Sequence, residues 1–440
     1  MDSTRLDSPP AEVAACRVLV CPSGFKESLS PGDAADCIEA GVLRAMPKAI
    51  VEKAPMVDGG EGFTKVLVQV TGGRLHNIEV IGPVGRPVES HYGFLGGHRS
   101  STAVIEMAAA AGLSLVPYDM RNPTKTTSFG VGQLIAAAVE DGANNILLGC
   151  GDSGTCDGGV GMAQALGVRF YDSQDNLVPD AACADQLVDL ARVDMSDLLP
   201  RLKSVKIDVA CNWHNILCGS SGVAKMFGPQ KGANEEQVEI MSLAMDRVAV
   251  VMGHILAKDI SQSPGGGASG GLGAGLQLIG ASLHPRFDII MKFFNLDELM
   301  ARADVVITAE GGIDYQTPRG KVPAEVARRA KATSIPVIVL AGTIGEQAVV
   351  NYEAGIDAFT SIIQSPTTLA NAIQDAERLL IEAAESSMRM IMVGWLVRSR
   401  TPEKQKSPLK RPGHGLEDTM DVKKGFFEFV PKGLLRATTF

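Results

Sequence analysis

Arg17-Val-Leu-Val-Cys-Pro-Ser-Gly-Phe-Lys-Glu-Ser-Leu-Ser-Pro31 is the stretch from which the fold is read. Arg17–Cys21 is a short apolar run, the mark of a buried strand. Pro22–Ser28 is a loop. Ser30 then stands where a helix N-cap belongs, Pro31 at the first helical position, and Asp33 where a carboxylate completes a capping box. Ala34, Ala35, Ile38 and Val42 follow at helical spacing. A second run, Ile50–Met56, leads into Asp58-Gly-Gly-Glu-Gly62 and another amphipathic pattern. Strand, loop and helix twice in succession predict a parallel sheet.

The same order returns late in the chain. Asp304–Ala309 reads as a strand, Glu310-Gly-Gly-Ile-Asp-Tyr-Gln-Thr-Pro-Arg-Gly-Lys321 as its loop, and a helix starts near Val322. Pro336–Ala341 and Ala358–Ile363 are further strands, and helical spacing runs from Leu369 to Val397. Residues 81–285 are written differently: polar and apolar residues alternate at Ile78–Ile81 and His91–Leu95, then Ala-rich helices mix with Gly-rich turns. The expected fold class is therefore α/β. A Rossmann-like parallel-sheet domain is built from residues 16–80 and 286–397, and a second α/β domain, 81–285, is inserted into it. Residues 1–15 and 398–440 are expected to be disordered ends. The last segment holds ten Lys/Arg against five Asp/Glu, so it carries +5 within a net charge of −9.

Composition narrows the function classes. With 440 residues there is material for two or three domains, and 45% hydrophobic with 21% charged residues is ordinary globular usage. The net negative charge gives no footprint for nucleic acid or an anionic membrane. Eight cysteines form no C-x-x-C pair and read as reduced core or loop residues, and the first residues lack an apolar leader region. A cytoplasmic protein is expected.

In parallel α/β sheets, ligands bind outside the carboxyl ends of strands. Isolated charged residues fall there: Lys26 after the first strand, Asp58 and Glu61 after the second, and Glu310, Asp314 and Lys321 after the late one. Each sits in a glycine-rich loop that lets backbone amides approach a ligand. Gly149-Cys-Gly-Asp-Ser-Gly154 fits G-x-G-x-x-G, and Asp172 lies where a dinucleotide fingerprint puts its ribose-binding acid, which makes an NAD-dependent dehydrogenase one reading. Against it, Thr155-Cys-Asp-Gly-Gly-Val-Gly161 delays the helix that should open at once. An amide-rich loop with an embedded acid suits a phosphate and its metal ion better. Thr126–Gly130 caps a helix, Gly228-Pro-Gln-Lys-Gly232 raises Lys231 on a turn, and Gly265–Gly275 is a candidate phosphate cradle. His214, between Asn212 and Asn215, is the one histidine in a loop of that kind.

Taken in order, Phe25-Lys-Glu-Ser28, Asp58-Gly-Gly-Glu-Gly62, Ile105-Glu-Met-Ala108, Gly151-Asp-Ser-Gly-Thr-Cys-Asp-Gly-Gly159, Phe227-Gly-Pro-Gln-Lys-Gly232 and Glu310-Gly-Gly-Ile-Asp-Tyr-Gln316 with Lys321 resemble the type-1 glycerate kinase family. The likeness runs from about Arg17 to Val397. It implies transfer of a phosphoryl group from ATP, with Mg²⁺, to D-glycerate, giving 2-phosphoglycerate. It also implies roles. Lys26, Asp58, Asp157 and Asp314 would be catalytic, with Asp157 and Glu310 as metal ligands. Glu61, Gly151, Ser153, Thr155, Gly158, Gly159, Lys231, Gln316 and Lys321 would contact substrate or phosphate. The chain departs from the family pattern at Ser23-Gly24, where Asp-Ser is usual, and at Asp152, Asn212, Ile216 and Gly312. The alternatives these departures raise are another small hydroxy acid as acceptor, or a non-catalytic nucleotide binder.

Overall fold

A computed structural model describes residues 15–25, 28–57 and 59–400. Lys26, Asp58, residues 1–14 and residues 401–440, with most of the basic tail, lie outside the described residues. The described strands are, in chain order, β1 (Arg17–Val20), β2 (Ile50–Lys53), β3 (Arg74–Ile81), β4 (Pro87–Phe94), β5 (Thr102–Glu106), β6 (Asn145–Gly149), β7 (Arg169–Asp172), β8 (Leu190–Asp194), β9 (Lys206–Cys211), β10 (Ser282–Pro285), β11 (Val305–Ile313), β12 (Val337–Ile344) and β13 (Ala358–Ser361).

Five strands from the two ends of the chain form one sheet in the order β13-β12-β11-β1-β2. Every neighbouring pair in it is parallel, with Leu19 opposite Val306 on one side and Glu52 on the other. The central strands are continuous apolar runs because helices cover both faces. The helix Pro31–Ala45 starts as its sequence predicts. The Ser30 hydroxyl accepts the Asp33 N–H at 3.1 Å, and the Asp33 carboxylate accepts the Ser30 N–H at 3.3 Å. Long helical spacing near the end resolves into two helices, Leu369–Gln374 and Ala376–Arg400.

Six strands from the middle form a second sheet in the order β10-β9-β6-β5-β4-β3. The alternating segments become the antiparallel hairpin β3–β4, while β5, β6, β9 and β10 run parallel. The chain joins this sheet earlier than residue 81. The helix Phe63–Thr71 already buries Phe63, Val66 and Leu67 in a core shared with Leu95, Val104 and Leu147, and β3 begins at Arg74. A third, two-stranded sheet pairs β7 with β8. Described residues up to Met388 make one compact unit. A second begins at Arg389, and its described part is the end of the helix Ala376–Arg400. Among the described residues no helix is long and apolar enough to cross a membrane.

Candidate active site

The carboxyl ends of the parallel strands in the six-stranded sheet open onto a cleft of about 560 Å³. Each strand contributes residues from the segment after it. Leu113 and Ser114 come after β5, Cys150–Ser153 after β6, Asn212 and Asn215 after β9, and Arg286 after β10. Glu61, Arg121, Phe227, Gln230, Lys231 and Ala268–Gly270 complete the lining.

Two glycine-rich loops meet at this wall. A Cβ on Gly151 would lie 2.6 Å from the Gly60 Cα, so the loop after β6 and the Gly59–Gly62 loop approach as backbone on backbone. Asp152 clips them together. Its carboxylate accepts the Glu61 N–H at 3.0 Å and its carbonyl accepts the Leu113 N–H at 2.8 Å, while its own backbone is held at φ +47°. Ser114 donates its hydroxyl to the Glu61 carboxylate. Glu106, at the end of β5, is buried and accepts the N–H groups of Gly62 and Thr64, fixing the start of the helix Phe63–Thr71.

Lys231 is 4% exposed, and its ammonium donates to Ser153 Oγ at 2.8 Å and to the Thr155 carbonyl at 2.7 Å. Burial pushes its pKa below the ordinary 10.5, and the neighbouring Cys156 and Asp157 act in the opposite sense. A lysine this enclosed survives only with its protons engaged. It therefore fixes the Ser153 hydroxyl at the cleft wall. Behind this layer the Gly158 N–H donates to Gly270, and a Cβ on Gly159 would touch Gly275. The sequence segment Gly265–Gly275 thus supports the loop after β6.

The profile of the glycerate kinase family matches residues 18–392. The glycerate kinase of Halalkalibacterium halodurans is 42% identical over 84% of this chain and 96% of its own length. The glycerate 2-kinase of Escherichia coli K12 is 39% identical over 86% and 98%. A crystal structure assigned to glycerate kinase 2 of Salmonella typhimurium LT2 superposes with a TM-score of 0.76 at 40% identity, covering 87% of this chain and 99% of that one. This chain belongs to the glycerate kinase family. It is a phosphotransferase that acts on an alcohol group.

For a glycerate kinase family member, the G-x-G-x-x-G segment carries no dinucleotide fingerprint. The helix Val160–Ala165 opens six residues after Gly154. Asp172 instead accepts the N–H groups of Gln174 and Asn176 in the turn between β7 and β8. Of the residues expected to bind substrate, the structure brings Glu61, Gly151, Ser153 and Lys231 to the cleft, with Thr155, Gly158 and Gly159 directly behind it. Asp157 is not on the wall. It is fully buried, and its carboxylate accepts the Ser128 N–H and Oγ–H, both at 2.7 Å, and the Gly159 and Gly161 N–H groups. Burial raises its pKa and these donors pull the other way. Through these bonds Asp157 ties the starts of the helices Phe129–Glu140 and Val160–Ala165 together behind the cleft wall.

Glu310, Asp314, Gln316 and Lys321 lie at the carboxyl edge of the five-stranded sheet and do not line this cleft, while Lys26 and Asp58 lie outside the described residues. Asp314 accepts the N–H groups of Gln316 and Thr317, and Lys321 reaches it at 3.5 Å and the Gly312 carbonyl at 3.2 Å. Burial works against the charged form, but the Gln316 N–H and Lys321 hold the Asp314 carboxyl below 3.8. Glu310 is on β11, paired with Ala341. Among the departures from the family pattern, Asp152 and Asn212 both line the cleft, while Ser23 donates to the Ala309 carbonyl at the other edge. The sequence reading missed Ser114, Arg121 and Arg286. None of the three carried a local sequence signal.

Proposed function

We propose that this member of the glycerate kinase family transfers the γ-phosphoryl group of ATP to the 2-hydroxyl of D-glycerate, giving 2-phosphoglycerate. The observation that supports the reading is the cleft itself: a pocket at strand ends whose wall joins Glu61, the Gly151–Ser153 loop and Lys231. A three-carbon acid with two hydroxyls needs such a lining of short polar groups and fixed cations. Phosphoryl transfer asks for positioning and charge neutralisation more than for covalent help. Lys231 supplies both through Ser153, while Lys26, Lys321 and Gln316 are proposed for the phosphates. Asp58 is the acid proposed to orient the hydroxyl or accept its proton, and Asp314 is proposed to hold Lys321 toward the phosphates.

Magnesium takes one or two carboxylates together with substrate phosphates. The donor set fits it in part. Among the described residues no three His, Cys, Asp or Glu side chains converge as a cage. Asp157 is fully buried behind the wall, whereas Glu61 and Asp152 are exposed acids on the cleft wall. We assign these two as the residues that would hold the ion beside the phosphates, with Glu310 proposed from the other edge. When bound, the ion neutralises charge on the phosphate oxygens.

Purified protein with ATP, Mg²⁺ and D-glycerate should release ADP. Enolase added without a mutase should then form phosphoenolpyruvate, because it dehydrates 2-phosphoglycerate and not the 3-isomer. ADP release without an enolase product would overturn the 2-hydroxyl assignment. ATP binding with no turnover on any hydroxy acid would overturn the catalytic reading.

A further inference from the structure

Three cations line the cleft, and they differ in what holds them. Lys231 commits two of its three protons to Ser153 and the Thr155 carbonyl. Arg286 lies over the Phe287 ring, with 4.6 Å from its guanidinium carbon to the centroid. Arg121 is the exception. Its Nε is buried and has no hydrogen-bond partner among the described residues. A buried donor without an acceptor costs on the order of 1–3 kcal/mol, so such a group calls for an explanation.

The surroundings of Arg121 hold it in place without satisfying it. Its guanidinium carbon stands 5.3 Å from the centroid of the Tyr118 ring, which orients the plane of the fork. Its backbone is held from the other side. Gly232 has φ +98°, and a Cβ there would lie 2.4 Å from the Arg121 carbonyl, so the turn carrying Lys231 sits directly against Arg121. The two cations are thus presented to one cleft by segments that fix each other. One is spent on structure, while the other lines the cleft with no hydrogen-bond acceptor for its guanidinium among the described residues. A guanidinium fork matches a planar oxyanion with two parallel hydrogen bonds, which a lysine ammonium does not.

We propose that Arg121 is the specificity-determining residue that grips the carboxylate of the acceptor acid. The assignment rests on the hydroxy-acid kinase reading of the same cleft. A phosphate of ATP shares the oxyanion chemistry, and the test separates the two.

Wild type, Arg121→Lys and Arg121→Ala are assayed for ADP release with D-glycerate and with its neutral carboxamide, D-glyceramide, each at varied ATP, after thermal melts confirm folding. The wild type should prefer glycerate over glyceramide by at least about 100-fold, as expected when a buried charged donor loses its ionic partner. In Arg121→Ala that preference should collapse to within a few-fold. KM for glycerate should rise at least tenfold, KM for ATP should change less than twofold, and guanidinium ion should restore part of the loss. Arg121→Lys should recover only a minor share. An unchanged preference, or a KM increase confined to ATP, overturns the assignment. A wild type that turns over neither acceptor overturns the kinase reading instead, and that outcome is visible before any variant is compared.

Discussion

The parallel strands of the two larger sheets end in carboxyl edges built to opposite specifications. At the six-stranded edge several polar groups are sunk into the protein, behind the exposed acids Glu61 and Asp152. Lys231 is 4% exposed, Ser153 9%, and Thr155 and Asp157 0%. Lys231, Ser153 and Asp157 are held by side-chain hydrogen bonds to other segments, and Thr155 through its carbonyl. At the five-stranded edge Asp314 and Lys321 are about one-third exposed, and the partners of their side chains lie within the same short loop. Groups fixed in a low-dielectric wall act strongly on a ligand and need little reorganisation. Groups at an exposed turn are screened and can move with what they bind. On the proposed function, the six-stranded edge would position the acceptor and the five-stranded edge would take the phosphates.

The contrast breaks first at Lys231. Replacing it with Ala should lower kcat/KM for glycerate by about 100-fold or more, the usual cost of losing one fixed donor in an active site. The buried Ser153 and Thr155 acceptors it leaves behind should cost on the order of 1–3 kcal/mol in stability, read from denaturant unfolding. A Lys231→Ala variant with near-normal turnover would erase the distinction between the edges.

Its titration sharpens the same point. Burial lowers the Lys231 pKa, so its charge is lost as pH rises through a value below 10.5. Activity should fall on an alkaline limb below lysine's usual range. Lys231's contribution to stability should rise over that window, because the unfolded chain then binds more protons than the folded one. A pH–rate profile and pH-dependent unfolding measure the two trends, which should run in opposite directions.

Asp314 gives a smaller effect. Asp314→Asn keeps an acceptor for the Gln316 N–H but removes the ion pair with Lys321. KM for ATP should rise by up to about tenfold while KM for glycerate stays within twofold, since the loss falls on one partly exposed charge pair. The lowered pKa of Asp314 means its stabilising contribution is present above pH 3.8 and fades as pH falls below it. Smallest of all is Asp172→Ala. It should leave both kinetic constants unchanged and lower Tm only slightly, because Asp172 serves an exposed turn.

Local order along the chain made much of this legible. The Ser30-Pro31-Asp33 cap, the apolar runs of β1, β11 and β12, and the glycine-rich loops after strands each follow from a few neighbouring residues. What escaped depended on distance in sequence. Asp157 reads as a loop acid, and only the fold brings Ser128 to it across 29 residues. Arg286 went unseen because Ser282-Leu-His-Pro285 is too short and polar to read as a strand, yet it pairs with β9 along its whole length. Arg121 precedes Asn122-Pro123 in a segment with no glycine and no apolar period, so nothing local marks it. The early start of the second sheet has the same cause. Phe63, Val66 and Leu67 form an ordinary helical face, and the sequence does not say which sheet that face covers.

Hydrogen exchange of the whole protein, with and without saturating D-glycerate, tests the division of labour between the edges most directly. The account predicts slowed exchange at residues 150–155 and 230–232, with residues 312–321 unchanged until a nucleotide is added. Protection by glycerate confined to residues 312–321 would contradict it.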